Sequence, residues 1–303
     1  MAVILISGGT GLVGKALTNR LISEGHEVRI LSRNAQSLPF VKTFYWNVEK
    51  NEIDEEAFDG VEHMVHLAGS GIADKRWTNE RKQDIIDSRV NSMQLITSVV
   101  KKKNIHLKSF VGASAIGVYG MTTSEKIFNE TDMGKDDFLS QTCTLWENSY
   151  QEIQTHSNKS CVIRIGVVLS ENGGALKRLL PLFQLGLGSA VGSGKQYMPW
   201  IHSDDLVSVF HEALFNVNYN GVYNAVASEK TNNYSFSKQL AQTLSKPFFL
   251  PHVPAFVLKL AFGEMANVLL KGSRVSNQKL INVGFQFKYP SLSEALTEII
   301  SKK

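Results

Sequence analysis

The sequence is short of cysteine and has no long hydrophobic run. Its two cysteines, Cys143 and Cys161, cannot form a disulfide framework and lack the spacing of a metal site, so we expect a reducing cytoplasm. No apolar run reaches the roughly 18 residues that a membrane-spanning helix needs. The best stretch, residues 256–270, is interrupted by Lys259 and Glu264. The sequence therefore predicts no membrane span and no membrane partner.

Charge is also scarce. The chain has 32 Lys and Arg against 28 Asp and Glu, a net charge of +4 over 303 residues. With 43% hydrophobic and only 20% charged residues, the composition excludes a disordered chain. The small positive excess gives no support for a nucleic-acid partner. The length allows one large domain or two linked domains.

Short apolar strands alternate with longer helical patterns over the first half of the chain. Strands buried on both faces and separated by helices indicate a parallel sheet with crossover helices. The predicted fold is α/β, a Rossmann-type doubly wound parallel sheet with a smaller C-terminal α/β lobe. Residues 1–170 form the predicted sheet domain, to which residues 200–226 return. Residues 171–199 and 227–303, where most prolines lie, form the predicted C-terminal lobe.

A glycine-rich segment joins the first predicted strand to the first predicted helix. Three of its glycines satisfy the G-x-G-x-x-G pattern in the strand-turn-helix context that a dinucleotide-binding loop requires. Its glycines permit a tight turn, and the N–H groups of the helix face a pyrophosphate. The alternative is a glycine-rich turn without a ligand. The predicted contacts of the dinucleotide here are Gly8, Gly9, Thr10, Gly11, Leu12 and Val13.

The end of the second predicted strand selects between NAD(H) and NADP(H). Proteins that bind NAD carry an acidic residue there, which binds the ribose 2′-hydroxyl, whereas an arginine accommodates a 2′-phosphate. This chain has Ser32 and Arg33 and no acidic residue at that point. The pair predicts NADP(H), with Arg33 on the phosphate and Ser32 as a nearby donor. An ordinary surface arginine is the alternative.

Two further arginines occupy positions that call for an anionic partner. Arg89 falls on the apolar stripe of the long helix, where a guanidinium needs an anion or must reach out to solvent. The candidate partners of Arg89 are Asp84 and the cofactor. Arg164 ends the strand that precedes Gly166, at the sheet edge where ligands of this fold bind.

Several segments resemble the extended short-chain dehydrogenase/reductase superfamily, and the resemblance spans nearly the whole chain. They are residues 114–120, residues 164–169 and the later H-x-x-D-L signature at residues 199–206. The chain is more similar still to an atypical subgroup called epimerase family proteins, which carries a C-terminal domain of unknown function. The resemblance implies these NADP contacts: Ser32, Arg33, Leu67, Ala68, Asp84, Arg89 and Arg164.

The Y-x-x-x-K pair on which the superfamily's chemistry depends is missing from its usual helix. Cys143 and Glu147 occupy the tyrosine and lysine places, so the charge at the lysine place is inverted. A carboxylate does not lower a neighbouring pKa as an ammonium does, so we do not expect the standard carbonyl reduction. Cys143 and Glu147 are themselves candidate catalytic residues, and a buried core cysteine is the alternative for Cys143. Ser114 is a candidate ligand of a substrate oxygen, and Tyr119 is a second candidate proton donor.

These observations predict an NADP(H)-binding protein that acts as an oxidoreductase or epimerase. We expect a small-molecule substrate of unknown identity and no metal, with a homodimer left open. The alternative is an NADP(H)-dependent sensor or binding protein that has lost its catalytic pair.

Overall fold

The computed structural model describes residues 1–34 and 41–302, so the predicted domains 1–170 and 227–303 both include residues outside these ranges. The strands are β1 Val3–Ser7, β2 Glu27–Ser32, β3 Lys42–Asn47, β4 Glu52–Ile53, β5 His63–His66, β6 Ser109–Ala115, β7 Ile127–Phe128, β8 Ser160–Ile165, β9 Val167–Ser170, β10 Trp200–His202, β11 Gly221–Ala225 and β12 Arg274–Val275. The helices are α1 Leu12–Ser23, α2 Asn79–Lys102, α3 Phe138–Asn148, α4 Gln151–Thr155, α5 Gly174–Gln184, α6 Ser203–Phe215, α7 Asn233–Thr243, α8 Ala255–Phe262, α9 Asn267–Leu270, α10 Gln278–Asn282 and α11 Leu292–Ser301.

An eight-stranded sheet forms the centre of the molecule, in the order β11-β8-β6-β5-β1-β2-β3-β4. Strand β4 pairs antiparallel with β3, and the other neighbours pair in parallel. From β1 the chain passes to β2 on one side and later returns to β5 on the other. Ligands of doubly wound sheets bind beyond the carboxyl ends of the strands at this reversal. The predicted fold class is therefore confirmed, and the β1–β5 edge is the place to look for a site.

The central strands form because they can be buried on both faces. Ile4, Leu5 and Ile6 of β1 are fully buried, which explains why their sequence is a continuous apolar run rather than an alternating one. Helices α1 and α6 pack against each other on one face, and α2 and α3 pack on the other. Leu17 and Leu21 of α1 belong to the same core as the sheet.

The segment from Phe138 to Thr155 is not one continuous helix, because it divides into α3 and α4 at Ser149 and Tyr150. Tyr150 is fully buried, and its hydroxyl donates to the carbonyl of Ala113 on β6 at 2.7 Å. Its ring lies where a Cβ on Gly112 would stand. This packing on β6 draws the chain towards the sheet at the break between the helices.

A second apolar core joins α5, α7 and α11, and this part of the molecule is called the C-terminal lobe below. Leu180 and Phe183 of α5 pack there with Phe236 of α7 and Leu296 of α11. Strands β9 and β10 form a separate parallel pair, whereas β11 adds to the main sheet beside β8. In the described part of the chain, no helix is both long and apolar enough to span a membrane.

Candidate functional site

The glycine-rich loop closes tightly over the carboxyl ends of β1 and β5. Gly8 has φ +73°, and a Cβ on it would lie 2.7 Å from the carbonyl carbon of Leu67 and 2.8 Å from the nitrogen of Ala68. A Cβ on Gly14 would lie 2.2 Å from the carbonyl oxygen of Gly8. The Gly11 N–H donates to the same oxygen at 3.0 Å. Only glycine fits Gly8 and Gly14 here, which brings Leu67 and Ala68 beside the loop.

Among the residues that the structure describes, no side chain caps the first turn of α1. Gly11 is the N-cap, no side-chain oxygen of these residues accepts from the turn, and the turn itself contains no acidic residue. Thr10 and Gly11 are exposed, and Leu12 and Val13 are half-buried. The free N–H groups and the positive end of the helix dipole therefore form an anion-binding arrangement beside the β1–β5 edge.

Ser32 and Arg33 lie at the carboxyl end of β2, the strand beside β1, at the same edge of the sheet. Ser32 is half-buried and its Oγ accepts from the N–H of Asn34 at 3.2 Å, while Arg33 is exposed. Strand β2 pairs with β1 up to Leu31 opposite Ser7, so Arg33 lies on the side of the sheet that carries the glycine loop. An exposed guanidinium at this place can contact an anion that lies across the edge.

A buried polar chain, which the sequence did not reveal, runs beneath the glycine loop. Ser7 Oγ lies 2.6 Å from His66 Nδ1, and His66 Nε2 lies 3.2 Å from Ser92 Oγ on α2. Burial, with a contribution from the charge of Arg89, lowers the pKa of His66 to about 3. His66 is therefore neutral at physiological pH and ties β1, β5 and α2 together. Its sequence signal, a histidine inside an apolar strand, does not distinguish it from an ordinary core residue.

Arg89 is a buried cation beside this chain. Its guanidinium donates to the carbonyls of Ile85 at 2.8 Å and Ser70 at 3.1 Å, and lies 4.7 Å from the centre of the Trp146 ring. In the described ranges no carboxylate pairs with it, and burial lowers the pKa of Arg89. The alternative pairing with Asp84 is wrong, because Asp84 is largely exposed and lies 3.9 Å from Arg81.

Glu147, which stands in the lysine place, forms a second polar network with residues at the ends of β6 and β8. Arg164 binds Glu147 through two nitrogens, with Nε at 2.8 Å from Oε1 and Nη2 at 2.9 Å from Oε2. Ser114 Oγ donates to Oε1 of the same carboxylate at 2.6 Å. Although burial opposes it, hydrogen bonding to Glu147 raises the pKa of Arg164 above its ordinary value. Ser114, Glu147 and Arg164 thus form one charge-assisted unit.

Tyr119 belongs to the same network but is closed off from ligands. Its hydroxyl donates to Asn224 Oδ1 at 2.7 Å and accepts from Arg164 Nη1 at 3.0 Å. The side chain is fully buried, and this burial raises the pKa of Tyr119. Arg164 Nη1 also donates to the carbonyl of Glu130, whose carboxylate accepts from the N–H of Asn224. No sequence pattern pointed to Asn224 or Glu130.

Cys143 lies one turn before Glu147 on α3 and faces the apolar interior. Burial, and then the charge of Glu147, raises the pKa of the Cys143 thiol to about 12. It packs with Val118 and Tyr119, and its sulfur would lie 3.3 Å from a Cβ on Gly117. At neutral pH this thiol is protonated, so it lacks the thiolate that a nucleophilic cysteine needs.

The C-terminal lobe lies against the loop that follows β5. Arg76 donates to the carbonyl of Leu260 at 3.3 Å, and Lys82 pairs with Glu264 at 2.6 Å. Met265 packs with Trp77 in an apolar cluster that also contains Leu139 of α3. The lobe therefore covers the side of the sheet edge on which the second network lies.

Comparisons with known proteins agree with this geometry. A profile of the NAD dependent epimerase/dehydratase family matches residues 4–225, and a profile of a domain of unknown function, DUF1731, matches residues 253–299. Epimerase family protein YfhF of Bacillus subtilis (strain 168) is 35% identical over 303 residues, which cover 99% of this chain and 98% of that protein. The human epimerase family protein SDR39U1 is 33% identical over 301 residues, which cover 98% and 99%.

Solved structures give the same result. The crystal structure of human SDR39U1 (isoform 2) with NADPH matches with a TM-score of 0.89 and 31% identity, over 99% of this chain and 100% of that one. A nucleoside-diphosphate sugar epimerase from Corynebacterium glutamicum matches with a TM-score of 0.80 and 28% identity, over 100% of this chain and 59% of that one. The resemblance to epimerase family proteins is therefore confirmed, and the chain belongs to the NAD dependent epimerase/dehydratase family.

Proposed function

We propose that this protein binds NADP(H) along the β1–β5 edge. The observation that carries the proposal is the glycine loop. A Cβ at Gly8 or Gly14 would fill the space between its backbone atoms. The end of the helix beside it, which no described side chain caps, suits a pyrophosphate. The human relative SDR39U1 was solved with NADPH, which supports the same cofactor here. The residues proposed to hold it are Gly8, Gly9, Thr10, Gly11, Leu12, Val13, Ser32, Arg33, Leu67, Ala68 and Arg89.

Asp84 and Arg164 are not in this contact set, for different reasons. Asp84 is directed to solvent beside Arg81. Most of the Arg164 donors are already used by Glu147, Tyr119 and the Glu130 carbonyl, so we propose that it positions those groups. Arg89, by contrast, has no anionic partner in the part of the chain that the structure describes, which suits a phosphate or ribose nearby.

The domain division proposed from the sequence fits this assignment. Residues 1–170 and 200–226 supply the sheet edge, because β11 pairs with β8 and α6 packs on α1. Residues 171–199 and 227–303 supply the lobe that closes over it. The two free cysteines, Cys143 and Cys161, are both buried, which fits the proposed cytoplasmic location.

Arg33→Ala tests the choice of cofactor. We expect wild-type protein to bind NADPH more tightly than NADH in a fluorescence titration. The variant should lose about 10- to 100-fold in NADPH affinity, the worth of a charged hydrogen bond, and leave NADH affinity unchanged. Lys238→Ala, which removes an exposed cation on α7, is the matched control and should change neither. Equal affinities of the wild type for the two cofactors would contradict the role of Arg33.

We propose hydride transfer as the activity, in an oxidoreductase or epimerase whose substrate is unknown. The nicotinamide supplies the hydride donor or acceptor when it is bound. Ser114 is nearly as buried as Tyr119 and donates to Glu147, so we propose that it positions this carboxylate. Glu147 is the polar group best placed to take or return a proton, and Arg164 holds its carboxylate in position. Tyr119 and Cys143 then have packing and positioning roles.

A non-catalytic NADP(H) sensor is the second candidate. One observation favours it: Cys143 and Glu147 stand in the tyrosine and lysine places, and the thiol's pKa is about 12. A screen of alcohols, aldehydes and nucleotide sugars, followed by NADPH absorbance, separates the two. Under the enzyme proposal, Glu147→Gln lowers kcat at least about 100-fold, the usual worth of acid-base catalysis, and Cys143→Ser changes it little. Turnover unaffected by Glu147→Gln would remove Glu147 from the mechanism.

A further inference from the structure

An apolar patch lies exposed on the C-terminal lobe. Its large side chains are between 51% and 79% exposed. Seven of the eight residues of α8 are exposed, and only Leu258 is buried, although the helix contains a single charged residue. Exposed apolar groups of this size normally mark a binding surface. The apolar patch consists of Leu182, Leu185, Leu187, Phe249, Phe256 and Leu260.

Backbone contacts hold the parts of the apolar patch at one end of the lobe. The segment after α5 runs beside the segment before α8, with Ser189 Oγ donating to the carbonyl of Pro251 at 2.6 Å. The N–H of Val253 donates to the carbonyl of Ala190 at 2.9 Å. Pro254 then begins α8 as its N-cap. Leu185 and Leu187 therefore lie on a segment that runs beside the segment of Phe249. This second segment continues to Phe256 in α8.

The two segments that carry the apolar patch have an excess of positive charge. These segments, residues 176–199 and 244–272, contain six basic residues and one acidic residue, an excess of five that is larger than the net +4 of the whole chain. Arg178 pairs with Asp74, and the acidic residue, Glu264, pairs with Lys82. The other basic residues are exposed, and none pairs with a carboxylate of the described chain: Lys177, Lys195, Lys246, Lys259 and Lys271.

We propose that the apolar patch docks on the surface of an anionic lipid bilayer. Protruding phenylalanine and leucine side chains enter the headgroup region, while the lysines of the same two segments meet anionic headgroups. A second copy of the chain fits less well, because two copies of a surface with an excess of positive charge repel each other. The prediction of no membrane partner rested on the absence of a long apolar run, which an interfacial surface does not need. This docking is independent of the proposed function.

Vesicle sedimentation of the full chain tests the proposal. We expect binding to vesicles of phosphatidylcholine and phosphatidylglycerol, weak binding to phosphatidylcholine alone, and a loss of binding in high salt. Phe256→Glu with Leu260→Glu should lower the partition coefficient at least about ten-fold, because each side chain gives up its transfer free energy. Val217→Glu changes an exposed apolar residue between α6 and β11, outside the apolar patch, and should leave binding unchanged.

The lysines are tested separately from the apolar groups. Lys246→Gln and Lys259→Gln should each weaken binding to the anionic vesicles about five-fold, whereas Lys50→Gln, at an exposed site after β3, should not. Insertion has its own readout, since all four native tryptophans are buried. The emission of Phe256→Trp should therefore shift to the blue when phosphatidylglycerol vesicles are added.

Three outcomes would overturn the proposal. They are a wild type that ignores anionic vesicles, equal binding by the Phe256→Glu/Leu260→Glu and Val217→Glu variants, and an unshifted emission of the Phe256→Trp variant. A dimer in light scattering that Phe256→Glu dissociates, without vesicle binding, would assign the apolar patch to a protein interface instead. Circular dichroism melts confirm that each variant is folded before it is compared.

Discussion

Arg164 and Arg89 are both buried, but the groups around their positive charges differ. Arg164 is matched by the carboxylate of Glu147, so its charge is neutralised inside the protein. Arg89 donates hydrogen bonds to two carbonyls and lies over the face of the Trp146 ring, and none of these groups cancels its charge. A buried positive charge that remains uncancelled is costly unless something anionic approaches it. This difference explains why we assign Arg89 to the cofactor and Arg164 to the positioning of Glu147.

Buried histidines make the stability of the fold depend on pH. Burial lowers the pKa of His63 to about 4 and that of His66 to about 3, from an ordinary value of 6.5. The unfolded chain therefore binds protons first on acidification, and stability falls from pH 6.5 downwards until the folded pKa of each histidine is reached. At pH 5 each histidine should cost about 2 kcal/mol of the free energy of unfolding.

Urea unfolding between pH 7 and pH 5 measures this dependence. His66→Gln should lower stability at pH 7, because it disturbs the contacts with Ser7 and Ser92, yet flatten the fall towards pH 5. His106→Gln, at an exposed position, serves as the control and should keep the wild-type slope. A wild-type slope in His66→Gln would mean that His66 does not stay neutral in the folded protein.

At the scale of elements, the strand-loop-helix unit β1–α1 is the most constrained part of the site. Gly14→Ala places a Cβ 2.2 Å from the Gly8 oxygen and 2.7 Å from the Gly9 Cα. We expect it to lower the free energy of unfolding by about 1–3 kcal/mol and to abolish NADPH binding, because the loop must open. Urea unfolding and NADPH fluorescence titration measure the two effects.

Gly11→Ala is the matched control for this substitution. A Cβ on Gly11 meets only the Gly8 oxygen, at 3.3 Å, and its φ of −74° suits any residue. Its stability should stay within about 1 kcal/mol of the wild type, the cost of alanine at an N-cap. If both variants lost the same stability, the close approach of Gly14 to Gly8 would not be the cause.

At the scale of the whole molecule, a buried aspartate joins the C-terminal lobe to the sheet domain. The carboxylate of Asp205 on α6 accepts from the N–H groups of Lys288 at 2.7 Å and Tyr289 at 3.0 Å. Burial outweighs these hydrogen bonds and raises the pKa of Asp205. The aspartate of the H-x-x-D-L signature therefore has a structural role here, as does His202, which caps α6 by accepting from the N–H of Asp204.

Asp205→Ala should weaken the attachment of the C-terminal lobe to α6. Two N–H groups, that of Tyr289 buried and that of Lys288 half-buried, lose their acceptor. We therefore expect a loss of about 2–4 kcal/mol and faster hydrogen exchange in α11 than in β1. Asp204→Ala, at a half-exposed neighbouring position, should cost less than about 1 kcal/mol. Uniform faster exchange over both segments would show that the lobe and the sheet unfold together.

Most residues proposed to bind the cofactor could be predicted from sequence, whereas few contacts of the second network could be. Gly8 to Val13 and Arg33 follow local patterns, because a turn and a strand end are fixed by residues close in the chain. The partners of Glu147 are Ser114 and Arg164, which are 33 and 17 residues away in the chain. No local pattern encodes such pairs, since they depend on how β6, β8 and α3 pack.

The sequence by itself determined the doubly wound sheet, the glycine loop and the missing Tyr/Lys pair, because periodicity and turn chemistry act over a few residues. Only the tertiary structure decided that Asp84 lies beside Arg81 rather than Arg89, that Arg164 binds Glu147 and that the Tyr119 hydroxyl binds Asn224. It also decided that the apolar residues of α8 lie outside rather than in the core. Burial and charge pairing are properties of the packed chain, so they appear only once the distant elements have met.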